Sequence, residues 1–471
     1  MKRGAGLLIA ALAVAIALTV ARPHRAPGPS LRDFEAYYAA GATWMHGADP
    51  YSSAIWQSEK TLPSVVAQRY EVLPFIGPPA TLPLWAAFSF LPYPPAANLW
   101  RTLLFLSLFG LLWTLAPLAN LRRTPATLFA LAIAAFGFGP ITADLALGQL
   151  ALLVALAILV AFAARGTFVE GLAAAITCAQ PNLALALAGE LRNRKTALAV
   201  ISGAAAVAGI SVAIVGGPGA VSYIRALQEH GYAERFSAIQ LTPAAIAYGF
   251  GAGEQTAAVA GVLVAISGVA VWALCMRGVR DPLMLFCATC ALAPFVAPFF
   301  HEHDLAIVFA PAVLLVLRTS GNAARVALAG ALFCAANWLG LAQNPEGTLQ
   351  TFLLVAACAA ALVTLRQDFS FRTLEIPAAI LILITAAGFV ARAHLLPIWP
   401  NAMASLSAGV QHANIAAIWR AEQNAAGLFA RDTMWALLRC ASLAGCGLLV
   451  YAAAISSRSP ADSKTSSRAP G

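Results

Sequence analysis

Asp33 is the first carboxylate in the chain, in the run Arg32-Asp33-Phe34-Glu35-Ala36-Tyr37-Tyr38. It stands just past an apolar stretch at 5–21, where a carboxylate overhangs the membrane surface. A carboxylate so placed acts as a general base on a hydroxyl that attacks a membrane-bound electrophile. Equally, it caps the helix expected over 34–44. Local sequence leaves both readings open. Arg101 lies near the end of a later apolar span. An arginine within a membrane helix is expensive and marks function unless it snorkels to the headgroups. His301-Glu302-His303-Asp304 invites a metal reading, but residues two apart point in different directions on a helix, so no metal is expected. Cys287 and Cys290 form a C-x-x-C without a paired second one. They read as small buried helix residues. Asp144 stands shortly before Gly148-Gln149. It either faces the same cavity or caps the next helix.

These residues need elements to hold them, and the composition says which. Of 471 residues, 60% are hydrophobic and 10% charged, against roughly 45–50% and 25% in soluble domains. That excludes a soluble enzyme, a disordered chain and a secreted disulfide scaffold. A net charge of +9 does not argue for nucleic acid, because no basic cluster carries interleaved aromatics. The expectation is an all-α, polytopic bundle of about 12–14 membrane segments, each needing roughly 20 apolar residues.

Spans are predicted at 5–21, 97–118, 126–140, 149–164, 196–215, 255–275, 282–300, 304–317, 324–343, 350–365, 374–391 and 433–454. The stretch 77–92 is short and broken by proline, and 168–191 has Gln180-Pro181-Asn182 at its middle. The positive-inside rule favours 77–92 as a surface helix and 168–191 as a hairpin of half-helices. Broken helices at membrane depth must line protein or a wet cavity, so the Gln180–Asn182 tip is expected to face a site. This threading puts both termini in the cytoplasm and three segments outside, at 22–96, 216–254 and 392–432. All seven histidines fall on that side: His24, His46, His230, His301, His303, His394 and His412. A single membrane domain over 1–456, with a disordered cytoplasmic tail at 457–471, is expected.

Asp33-Phe34, Tyr37-Tyr38-Ala39-Ala40, Gly47 and Pro50-Tyr51 follow the first span in an order that resembles the integral membrane glycosyltransferases of family 87, in the GT-C superfamily. Phe75-Ile76-Gly77-Pro78-Pro79-Ala80, then Pro83-Leu84 and Leu91-Pro92, resembles the family's proline-rich stretch. Gly148-Gln149, Gly171 with Pro181 and the basic turn Arg192–Lys195, and Pro298 to Leu305 resemble its later motifs. The chain departs from the family pattern at Gln180, where a lysine is common, and at Ile239-Gln240-Leu241-Thr242, where an asparagine is frequent.

The resemblance implies an enzyme that moves a hexosyl unit, mannosyl first among the options, from a polyprenyl-phosphate sugar to an acceptor hydroxyl at the extracytoplasmic face. Asp33 would then be the base. The acceptor is a lipid or glycan, and the site borders on membrane lipids. The leaving lipid phosphate needs cations or hydrogen-bond donors at headgroup depth. Lys60, Arg69 and Arg101 are candidates, with Gln149, Gln180, His301, His303 and Asp304 as further donor-binding groups. No cofactor is called for. The Ala-rich, Arg-over-Lys composition points to the plasma membrane of a GC-rich bacterium. The competing classes are a transporter or lipid flippase and a non-catalytic protein of the same fold. A transporter places its polar residues near the midplane, whereas here they gather at helix ends.

Overall fold

The computed structural model describes residues 2–20, 31–59, 62, 73–366, 371–396 and 415–457. Those residues form helices and no strand, with one isolated antiparallel bridge between Gln240 and His301. The chain is an all-α membrane protein. Among the described residues, six helices are long and apolar enough to cross a bilayer: Tyr93–Leu118, Arg194–Glu234, Glu254–Cys275, Gly321–Gln343, Pro345–Leu365 and Thr433–Ser456. A bent pair, Pro125–Phe136 and Gly139–Leu147, makes up to seven, with shorter apolar helices beside them.

Local chemistry sets many of the starts. Proline in the first turn follows a capping side chain at Thr124, Thr242 and Asp281, each accepting a backbone N–H within its helix. Proline lacks the donor that would be orphaned there, and the cap satisfies another. Asp432 does the same for Thr433–Ser456, accepting from Met434 and Trp435.

Small residues set the packing. The Gly321–Ala335 and Thr433–Ser456 helices cross where a Cβ on Gly330 would lie 2.8 Å from the Gly445 carbonyl oxygen. Close backbone approach of this kind is how helices associate in lipid. Glu254–Cys275 shows the opposite face of the same physics: it is apolar beyond its first turn yet buries only Ala257. In water that exposure would be untenable; against lipid tails it costs nothing.

The structure redraws several expected spans. The one placed at 196–215 runs on through a kink at Gly216 (φ 70) to Glu234, so half of the segment expected to be a loop at 216–254 is helix. The 126–140 span bends by 78° and continues to Leu147. The 168–191 segment does break at its centre, into Phe168–Thr177, Pro181–Ala184 and a 3-10 turn over Leu185–Arg192. At 77–92 a 3-10 turn over Pro79–Thr81 leads into Leu82–Ser89, which at eight residues is too short to cross.

Arg32–Met45, the helix that carries Asp33, is seated by aromatics. Phe34 stacks on Trp100 with centroids 5.7 Å apart, and Tyr37 stacks on Trp85 at 4.7 Å. Gly41 lets this helix touch Leu82–Ser89, because any Cβ there would overlap the backbone of Trp85.

Candidate active site

A cavity of about 1180 Å³ opens where these elements meet. Asp33, Gln149, Gln180, Asn182, Glu234, His301, His303 and Asp304 form its polar wall. Ala258, Gly261, Val262, Ala265 and Phe295 continue it as an apolar wall. Six residues singled out in the sequence, Asp33, Gln149, Gln180, His301, His303 and Asp304, thus line one space from four separate parts of the chain.

Asp33 does not cap its helix. The cap position is Leu31, in the left-handed region at φ 66, with no side-chain cap bond. A buried leucine rarely takes this conformation. Here the Leu31 N–H reaches the Ala146 carbonyl at 3.1 Å, and Gly148 (φ 76) leaves just enough room beside Leu31 and Phe34. Trp100 Nε1 donates to the Gly148 carbonyl at 2.8 Å, fixing the turn that presents Gln149. Gln149 Nε2 then donates to Asp33 Oδ2 at 2.6 Å, while Gln149 Oε1 accepts the Tyr37 hydroxyl at 2.6 Å. With its amide oriented from both ends, Gln149 aims the Asp33 carboxylate. Burial, reinforced by the Asp33 carboxylate, pushes the Tyr37 phenol well up, so it stays a neutral donor.

A second group in the polar wall centres on Glu234, buried and at the end of its long helix. It accepts from Trp419 Nε1 and Gln240 Nε2, and its Oε2 lies 3.1 Å from His301 Nε2. His230 Nε2 stands 3.7 Å from the other oxygen. Burial alone would lower the His301 pKa, but the Glu234 carboxylate beside it more than offsets that and leaves it raised. Burial takes His303 the other way, down to about 4. Adjacent imidazoles therefore differ in charge, His301 favouring the cation and His303 the neutral ring. Asp304 Oδ2 accepts the His301 backbone N–H at 2.8 Å and Asn182 Nδ2 at 3.4 Å.

The helical argument that set His301 and His303 apart fails. His301 is extended, bridged to Gln240, and His303 opens a 3-10 turn, so the rings sit with centroids 5.1 Å apart. The donor atoms of His301, His303 and Asp304 fall within 4.8 Å of one another. Several of the cluster's groups already have protein partners, Glu234 for His301, and the His301 N–H and Asn182 for Asp304.

Gln180 lines the cavity as expected, and its buried Oε1 has no partner among the described residues. Arg101 is not among the lining residues; its Nη1 donates to Asn98 on the same helix at 3.1 Å. Asp144 caps the next helix, accepting from the Leu152 N–H at 3.3 Å. His394 pairs with Asp432 at 2.8 Å, and Arg420 with Glu254 at 3.3 Å, both off the cavity. Lys60 and Arg69 lie outside the described residues.

Sequence reasoning missed Glu234, Gln240 and the role of Trp419. The available signal was the His230 to Glu234 spacing of four, which puts both on one helical face. It was hidden because the segment was expected to be a loop.

Residues 75–298 match the model of glycosyltransferase family 87. Over this stretch, just under half of the chain, the protein is similar to the glycosyltransferases of family 87. The matched region holds Gln149, Gln180, Glu234 and Gln240. Asp33, the His301–Asp304 group and Trp419 join the same cavity from outside it. Comparison of the chain with curated proteins and with solved structures returned no match.

Proposed function

We propose that the protein transfers a hexosyl unit, mannose in the first instance, from a polyprenyl-phosphate sugar to an acceptor hydroxyl at the extracytoplasmic membrane face. Asp33 takes the acceptor proton. The acceptor oxygen forms a bond to the anomeric carbon as the bond from that carbon to the phosphate oxygen breaks. The electron pair leaves with polyprenyl phosphate. Direct displacement inverts the anomeric configuration.

The observation that carries this reading is the Asp33–Gln149–Tyr37 chain on the wall of a cavity that also holds His301 beside Glu234. An aimed carboxylate supplies the base. A cationic imidazole and the Gln180 and Asn182 amides supply groups for a departing phosphate and for sugar hydroxyls. The apolar wall suits an isoprenoid chain entering from the bilayer. The acceptor in this reading is a lipid or glycan, and the address is a bacterial plasma membrane with both termini cytoplasmic. Residues 1–456 act as one membrane domain, with 457–471 as a cytoplasmic tail, and no cofactor takes part.

The test is donor dependence. Membranes containing the protein, given radiolabelled polyprenyl-phosphate-mannose and host lipid extract, should yield a labelled product with inverted configuration. Labelling from a nucleotide sugar alone, in membranes unable to make the polyprenyl donor, would contradict the proposal.

A further inference from the structure

Arg439 lies within Thr433–Ser456, a helix long and apolar enough to span the membrane, and is 1% exposed. A guanidinium at such a position is costly unless its donors are met. Its acceptors are carbonyls, none of them a carboxylate. Nε donates to the Trp435 carbonyl at 3.2 Å, and Nη1 to those of Gln240 at 3.2 Å and Ser237 at 3.4 Å. Gly249 keeps the space open, since a Cβ there would collide with Nη2.

The two outside carbonyls belong to a turn that sets the cavity wall. Ser237 N–H donates to the Glu234 carbonyl at 2.9 Å, and Leu241 N–H to the Phe300 carbonyl at 2.7 Å. The Gln240 side chain works in both directions, its Oε1 accepting the Phe300 N–H at 2.9 Å while its Nε2 donates to Glu234. Gln240 thus ties the Glu234 carboxylate to the start of the His301 segment, and Arg439 holds the backbone of Gln240. Arg439 is not itself among the residues lining the cavity.

We propose that Arg439 is a positioning residue for the transfer, fixing the Ser237–Gln240 turn so that Glu234 and His301 stay in register across the cavity wall. The inference rests on the reading of this cavity as the transfer site. An apolar side chain of similar size would fill the space but leave two carbonyls unmet in a dry environment, and the turn would shift to find donors. A small displacement of groups that orient a reacting centre costs on the order of 10- to 100-fold in rate.

The experiment compares wild type, Arg439→Met and Arg439→Lys in lipid nanodiscs. One readout is the titration of His301, followed by NMR of labelled histidine and assigned with His301→Gln. Glu234, Asp304 and Asp33 face His301 and raise its pKa, while His230 and His303 oppose them. The Arg439→Met variant should titrate at lower pH than wild type, with the lysine variant between. In the transfer assay, kcat/KM should fall on the order of 10- to 100-fold for the methionine variant. If that variant is not recovered folded, Gly249→Ala crowds the guanidinium without removing it and should shift the titration the same way. An unshifted His301 titration in the recovered variant overturns the proposal. Wild-type protein without transfer activity would overturn the functional reading instead, and the titration still decides the role of Arg439.

Discussion

Gln149 Nε2 donates to Asp33 Oδ2 at 2.6 Å across 116 residues of sequence, and through Gln149 Oε1 the same amide holds Tyr37. The carboxylate is therefore aimed by a neighbour that has its own orientation fixed. Replacing Gln149 with Ala removes a hydrogen bond to a charged group, worth about 1.5–3 kcal/mol. The kcat/KM for transfer should drop roughly 10- to 100-fold, mainly through kcat. Steady-state kinetics at matched protein levels measure it. A loss seen only in KM would place Gln149 in ground-state binding instead.

The His301–Glu234 pair predicts a pH dependence with a definite sign. His301 has a raised pKa in the fold, so its charged form and the stability that charge provides are fully present below about pH 6.5, the unfolded value. Both are lost as pH climbs through the raised value. In Glu234→Gln the carboxylate that raises it is gone. The alkaline limb of the transfer profile should then move to lower pH. A pH–rate series on both proteins reads the shift directly, and superimposable profiles would remove Glu234 from this role.

Gly41 predicts a stability effect without new chemistry. A methyl at this position overlaps the backbone of Trp85, which has no flexible end to yield. Gly41→Ala should prise Arg32–Met45 from Leu82–Ser89 at a cost of about 1–3 kcal/mol. Thermal unfolding in detergent should show a lower midpoint than wild type. An unchanged midpoint would mean that the two helices do not pack this closely.

Much of this was readable in sequence, for identifiable reasons. Apolar runs near 20 residues give most of the spans because the bilayer sets their length. The Pro181 break and the carboxylate after the first span also follow from local rules. What the sequence hid was long-range pairing. Gln240 and His301 lie 61 residues apart, and their bridge makes an extended segment where the spacing of His301 and His303 was read as helical. The kink at Gly216 likewise let a helix continue to Glu234, where composition suggested a loop. Arg101 is placed elsewhere: it is not among the residues that line the cavity, and its Nη1 donates to Asn98 one turn away.

The central claim is that Asp33 is the base. The direct measurement is sugar transfer from polyprenyl-phosphate-mannose by wild type and Asp33→Asn, at matched amounts in the same membranes. The amide keeps the size of the side chain but is a far weaker proton acceptor, and general-base loss typically costs 10²–10⁴-fold. Labelled product with wild type and a fall of at least about 100-fold with Asp33→Asn is the predicted result. Equal transfer by both proteins would contradict it.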